Sequence, residues 1–301
     1  MSVLEVNNIV KKYDNFTAVN DVSFKVEQGN IYGILGPNGA GKTTTIRMIM
    51  NIIAPDSGSI KLFNQQMNDE LKSKIGYLPE ERGIYQKMKV IDVLVFLAEL
   101  KGITAADAKE KAIEWLEKFQ LAKNIDSKVN ELSKGMQQKI QIISTIIHNP
   151  ELIILDEPFS GLDPVNINLV KNIMLDLQKQ GKAIMFSTHQ MDAAEKLCTE
   201  ILMINKGNKV LDGKLNDILA SYGKNSVQVE FKGNAQVFDD LKIVSKIDHY
   251  QNYVEVELEE GYTASQLLKE IVDKVEISTM KSMKSSLNEI FISLAGGDHN
   301  E

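Results

Sequence analysis

Residues 2 to 34 place apolar side chains in short runs with strand character (Val3, Leu4 and Val6, then Val22, Phe24 and Val26, then Ile31, Gly33 and Leu35), and the last run feeds straight into a glycine-rich loop. Residues 44 to 53 then repeat apolar positions at helical spacing. From about 90 to 149 the pattern is helical throughout. It predicts helices over 90 to 101, 105 to 119 around Trp115, and 133 to 148, which together make a helical subdomain (about 88–149) set into an α/β core. The short apolar runs at 152 to 155 and 183 to 186, bounded by polar or turn residues, suit buried parallel strands. A further run at 201 to 204 leads into the turn Asn205-Lys206-Gly207-Asn208, and the pattern fades near Ser221-Tyr222-Gly223-Lys224. Alternation returns at 227 to 231 and 253 to 258, and helical spacing at 264 to 275 and 286 to 294. The expected organisation is one domain over 1–222 and a small α/β domain over 223–301, the latter near the lower size at which a single core suffices.

Composition narrows the function classes. The chain has 301 residues, 43% of them hydrophobic, an ordinary globular balance. Its formal net charge is −7, which argues against a nucleic-acid partner or an anionic-lipid surface. Residues 223–301 hold 8 Lys against 14 Asp and Glu, so most of the acidic excess lies in the tail. A lone Cys198 permits no internal disulfide and fits a reducing cytoplasm. No basic and apolar leader opens the chain, and no apolar run approaches the length of a membrane span. The expectation is a cytoplasmic protein.

The chemistry is concentrated in three stretches. Gly36-Pro37-Asn38-Gly39-Ala40-Gly41-Lys42-Thr43 is a phosphate-binding loop. Its glycines let backbone N–H groups approach phosphate oxygens, a helix N-terminus adds its positive end, Lys42 reaches the β and γ phosphates, and Thr43 offers a hydroxyl to Mg²⁺. Alone, it would mean only that a nucleoside triphosphate binds. Asp156 and Glu157 close an apolar strand, delivering two carboxylates to the edge of a parallel sheet where ligands bind, and strand alternation predicts that they point to opposite sides. Glu131-Leu132-Ser133-Lys134-Gly135-Met136-Gln137-Gln138-Lys139 opens a helix with Ser133 as a good N-cap.

These stretches, in this order and spacing, resemble the ATP-binding cassette (ABC) ATPases over residues 1 to 222. The resemblance implies the P-loop nucleoside-triphosphatase fold, with ATP and Mg²⁺ as cofactors. It makes Thr44 an α-phosphate contact and Asp156 a ligand of Mg²⁺ through water. Glu157 becomes the general base that polarises the attacking water. His189, in Ser187-Thr188-His189, matches the switch histidine that contacts the γ-phosphate, and Tyr13 matches the aromatic that stacks on adenine, with Val19 beside it. It also implies a head-to-tail dimer with a second ABC ATPase chain, in which Ser133 and Gly135 of one chain complete the ATP site of the other.

Two departures refine the resemblance. The signature reads Leu-Ser-Lys-Gly-Met where the family has Leu-Ser-Gly-Gly-Gln, and Ser133 and Gly135 are kept. Glu80 stands where the family has Gln, so a carboxylate faces Mg²⁺ in place of an amide. The segment Pro79-Glu80-Glu81-Arg82-Gly83, the signature and the acidic tail ending Ser-Leu-Asn-Glu-Ile-Phe-Ile are similar to the NatA-type export branch. The implied function is a peripheral ATPase subunit on the inner face of the cell membrane. It would drive a separate integral membrane permease, an exporter of sodium or a drug, that docks near residues 80 to 90 with Met88 and Val90 as contact candidates. A soluble ATPase acting on ribosomes or DNA, or a regulatory ATP-binding module, is the competing reading. The first would bring paired cassettes or long coiled coils, and the second a decayed site; the sequence has none of these.

Overall fold

The computed structural model describes residues 1–80, 83–222, 226–283 and 286–295. The chain divides into two compact units, Met1–Leu215 and Asn216–Glu301. The first unit begins with strands β1 (Ser2–Tyr13) and β2 (Phe16–Glu27), an antiparallel pair, followed by β3 (Ile31–Leu35) and helix α1 (Lys42–Ile49). Next come β4 (Ser57–Leu62), α2 (Asp69–Ser73) and β5 (Ile75–Leu78), then the helical segment α3 (Val90–Glu99), α4 (Ala105–Lys118) and α5 (Lys134–Ile146). The chain returns as β6 (Leu152–Asp156), α6 (Pro164–Lys179), β7 (Ala183–Thr188), α7 (Met191–Glu195), β8 (Glu200–Asn205) and β9 (Asn208–Lys214).

The strands join in one mixed sheet ordered β4-β1-β2-β9-β8-β3-β7-β6-β5. Its β8-β3-β7-β6-β5 half is parallel, and every residue of β3, β6 and β7 is buried. Strands covered on both faces read as unbroken apolar runs, which is why 152 to 155 and 183 to 186 are visible in the sequence. Because the strands are parallel, the carboxyl ends of β3, β6 and β7 lie along one edge; Asp156 is the last residue of β6, and the glycine loop and His189 follow directly from β3 and β7. Cys198 is buried and a Cβ on Gly33 would lie 2.6 Å from its sulfur, so it is a core residue.

Several boundaries differ from expectation. Helix α1 stops at Ile49 and does not run to residue 53: Asn51 takes a left-handed φ of 53°, the Ile52 N–H turns back to the Arg47 carbonyl at 2.9 Å, and Ile52 is exposed. Strands β4 and β5 are absent from the sequence reading, the first because it is mostly exposed and the second because it has only four residues. Val90 is fully buried and offers no outer contact, while Met88 is half-buried. Glu81 and Arg82, part of the export-branch resemblance, lie outside the described residues.

After α8 (Leu215–Ser221), the second unit contains β10 (Ser226–Lys232), α9 (Gln236–Asp239), β11 (Val244–His249), β12 (Tyr253–Leu258), α10 (Ala264–Ile271), β13 (Glu276–Met283) and α11 (Leu287–Ala295). Its strands form an antiparallel sheet ordered β11-β12-β10-β13. Val227, Val229, Val254 and Val256 face Phe238, Leu267 and Ile271 in its core. Helix α10 opens on a capping box, Thr263 with Gln266, and ends at Ile271, four residues before the predicted end. No helix among the described residues is long and apolar enough to cross a membrane.

Candidate active site

The loop between β3 and α1 passes so close to neighbouring backbone at Gly36 and Gly41 that a side chain has no room there. Gly41, the N-cap of α1, has φ 108°, and a Cβ there would lie 2.4 Å from the Ala18 carbonyl oxygen. Lys42 is buried and its ammonium is held by the carbonyls of Gly36 (2.8 Å) and Pro37 (3.1 Å) and by Glu157 Oε1 (3.5 Å). Thr43 and Thr44 follow in the first turn, and the Thr43 hydroxyl donates to Glu80 Oε2 at 3.2 Å. An open cavity is lined by Tyr13, Phe16, Ala18, the loop from Asn38 to Thr44, Glu80 and Glu157. Most residues expected to hold the nucleotide are therefore gathered around one space.

Asp156 ends β6 with no exposed surface. One carboxylate oxygen, Oδ1, accepts from the Ser187 hydroxyl, while Oδ2 is buried with no hydrogen-bond partner. Burial pushes its carboxyl above the ordinary carboxylate range, against the nearby Ser187 and Thr43 hydroxyls, which pull the other way, Thr43 from beyond hydrogen-bond geometry. A buried carboxylate oxygen left without a donor costs free energy unless a cation or donor meets it. With the Thr43 hydroxyl and Glu80 it makes an all-oxygen donor set, the chemistry that suits Mg²⁺.

Glu157 departs from the expected geometry. It is not the next residue of a pleated strand: β6 ends at Asp156, and Glu157 sits in the left-handed region at φ 49°. The two carboxylates are set apart by this turn, not by strand alternation. A non-glycine residue in that region costs on the order of 1–3 kcal/mol and needs local compensation. Its N–H donates to Ser187 Oγ at 3.0 Å, and its Oε1 accepts from His189 Nδ1 at 3.1 Å as well as pairing with Lys42. With an ionised carboxylate as acceptor the His189 proton sits on Nδ1, which leaves Nε2 for another partner. His189 is about half exposed, just past the end of β7.

At the outer wall, Tyr13 and Phe16 are both exposed and line the same cavity. Val19, expected beside Tyr13, is fully buried in the sheet core, and Ala18 takes its place on the cavity wall. Phe16 carries no signal in the sequence beyond its place in the hairpin. Ser133 and Gly135 do not line this cavity. They occupy the N-terminus of α5, where Ser133 accepts from the Met136 N–H at 3.3 Å. The remaining described histidines have structural partners, His148 with the Ile75 carbonyl and His249 with Asp239, while His299 lies outside the described residues.

Comparison with known proteins fits this arrangement. A family model described as ABC transporter matches residues 19–160, and one described as ATP-binding protein DrrA1-3-like, C-terminal domain, matches residues 213–295. The uncharacterized ABC transporter ATP-binding protein YhaQ of Bacillus subtilis (strain 168) is 38% identical, over 98% of this chain and 99% of its own. The linearmycin resistance ATP-binding protein LnrL of the same organism is 30% identical, over 98% of each. A solved structure of an ATP binding subunit of an ABC transporter superposes with a TM-score of 0.68 at 30% identity, covering 73% of this chain and 93% of its own. With its fold, its nucleotide-loop architecture and a relative aligned from end to end, this chain belongs to the ABC transporter ATP-binding proteins, the ATPase subunits of ABC transporters.

Proposed function

We propose that the chain works as a dimer beneath a separate membrane permease and powers export, with Glu157 as the general base of ATP hydrolysis. The observation that carries the catalytic reading is the position of one carboxylate. Glu157 lies at the mouth of the phosphate loop, within 3.5 Å of Lys42 and 3.1 Å of His189. Lys42 neutralises charge on the β and γ phosphates, and Glu157 takes a proton from the attacking water. His189 holds the carboxylate through Nδ1 and presents its other ring nitrogen to the γ-phosphate. Thr43, Glu80 and Asp156 would hold Mg²⁺, directly or through water, and the ion would screen the charge of the phosphate oxygens. Tyr13 stacks on adenine, with Phe16 as a second aromatic wall.

Ser133 and Gly135 serve the ATP of a second chain, so bound ATP bridges two subunits and hydrolysis releases them. That cycle does work on a permease only if ATP prefers the closed pair, since a ligand of equal affinity for both states shifts nothing. Export is supported by the linearmycin resistance relative, which aligns through the second unit as well as the first. A relative named for resistance to linearmycin, with others named for Nod factor export, favours an organic compound over sodium as the exported species.

The test uses a tagged Glu157→Gln chain in its native host. Turnover should fall by about 10²- to 10⁴-fold, and with ATP present the chain should carry a polytopic membrane protein through detergent extraction in about equal amount. Cells lacking the chain should become sensitive to a compound that wild type, but not Glu157→Gln, protects against. Recovery of ribosomes in place of a membrane protein, or protection by Glu157→Gln, would overturn the exporter reading.

A further inference from the structure

We propose that Ser187 is a positioning residue for ATP hydrolysis: a single hydroxyl, clamped between the Asp156 carboxylate and the Glu157 backbone N–H, fixes the left-handed turn from which Glu157 reaches Lys42 and His189. The inference rests on Glu157 being the base proposed above.

Ser187 sits on β7 directly opposite Asp156 on β6, in parallel register, with no exposed surface. Its O–H donates to Asp156 Oδ1 and its oxygen accepts the Glu157 N–H at 3.0 Å, so the one group is satisfied in both roles. Two consequences follow. Because Oδ1 is taken, Asp156 has only Oδ2 to offer outward. Because the Glu157 N–H is taken by a side chain of the neighbouring strand, the backbone leaves β6 at φ 49° and does not continue the ladder. Lost, the hydroxyl would take a donor from the buried Asp156 Oδ1 and an acceptor from the Glu157 N–H, at a turn whose backbone is already left-handed. Ser187 has no exposed surface and does not line the cavity around the phosphate loop; it acts through Glu157.

The test compares the full-length chain with Ser187→Ala by single-turnover hydrolysis and by fluorescent-ATP binding in EDTA. A loss of about ten- to a hundredfold in turnover is expected, the range of a lost hydrogen bond to a charged group, with nucleotide affinity within about threefold. In the Glu157→Gln background Ser187→Ala should add less than about threefold, because the residue it positions is already disabled. Should Ser187→Ala fail to fold, Ser187→Thr and Ser187→Val carry the same test, being alike in shape and different in the hydroxyl; turnover of Val should fall below that of Thr by the same factor. Unchanged turnover, affinity falling in step with turnover, or full multiplication of the loss in the Glu157→Gln background would overturn the proposal. If Glu157→Gln alone keeps its turnover, the base reading fails instead, whatever Ser187 does.

Discussion

Glu80 receives the Thr43 hydroxyl at 3.2 Å, so a carboxylate borders the phosphate cradle where the family resemblance leads one to expect an amide. A carboxylate couples to a nearby divalent ion far more strongly than an amide dipole does. Glu80→Gln is therefore expected to raise the Mg²⁺ concentration for half-maximal turnover several-fold while leaving ATP binding in EDTA unchanged. A titration of turnover against Mg²⁺ measures this, and an unchanged midpoint would remove Glu80 from the metal's surroundings. Glu80, Lys42, Thr43 and Asp156 were legible in the sequence because each sits in a contiguous motif. Ser187 and Phe16 were not, for a physical reason: Ser187 meets Asp156 only through the register of β6 on β7, 31 residues away in the chain, and Phe16 reaches the nucleotide cavity only because the β1-β2 hairpin folds over it. The left-handed turn at Glu157 was also invisible, since nothing in a Glu side chain advertises positive φ.

Helix α5 and strand β5 approach closely enough that Gly76 has no room for a side chain: a Cβ there would lie 2.2 Å from the Thr145 carbonyl oxygen. His148, just past the end of α5, fastens the same contact, its Nε2 lying 3.2 Å from the Ile75 carbonyl oxygen while Nδ1 is buried without a partner. With a carbonyl as acceptor, Nε2 carries the proton and the ring is neutral. Burial, followed by the charge of Lys101, pushes its pKa down to about 4. Because the folded value lies below the unfolded one of about 6.5, the stability this ring contributes is fully present above the unfolded value and is lost as pH falls toward about 4. Between pH 7 and pH 5 the loss should be about 1 kcal/mol, allowing for solvent screening of a half-buried ring. His148→Gln, whose amide N–H can replace the Nε2–H, should lose less over the same interval. Urea midpoints of both proteins at the two pH values check this, and parallel falls would rule out His148 as the source. Strands β6 and β7 could be read from the sequence because burial on both faces leaves an unbroken apolar run. Strand β5, four residues with Gly76 among them, gives too short a signal. In the second unit, β13 half-buries side chains at intervals of about three along an otherwise exposed edge, so no alternation marks it.

At the scale of the whole molecule, the proposed pairing of two chains would place Ser133 and Gly135 of one against the ATP of the other. Gly135 lies at the start of α5; apart from its own helical turn, the nearest atom to where a Cβ would stand is Leu162 Cδ2 at 3.7 Å, an ordinary contact, and its backbone does not take positive φ. The fold of this chain therefore does not require a glycine there; a close approach from outside would. Ser133, its neighbour, keeps an exposed hydroxyl at the same helix N-terminus, away from the cavity that gathers Lys42 and Glu157. In a two-fold dimer with α5 of each chain facing the phosphate loop of the other, every ATP site takes its loop from one subunit and its helix N-terminus from the partner. Complementation follows from such a pairing. Gly135→Asp adds an acid in the first turn of α5, which the helix dipole tolerates, and sets a negative charge against the partner's phosphates. Lys42→Met removes the cation from the loop. Each variant alone should be inactive, because both sites of its dimer carry the defect. In an equal mixture half of the dimers are mixed, and in each of these both defects fall on one site while the other joins an intact loop to an intact helix. Turnover should then return to about a quarter of wild type per chain, and should depend on total protein concentration as dimers exchange. No recovery, with both variants folded and able to exchange, would mean that α5 and the phosphate loop of the same chain serve the same ATP.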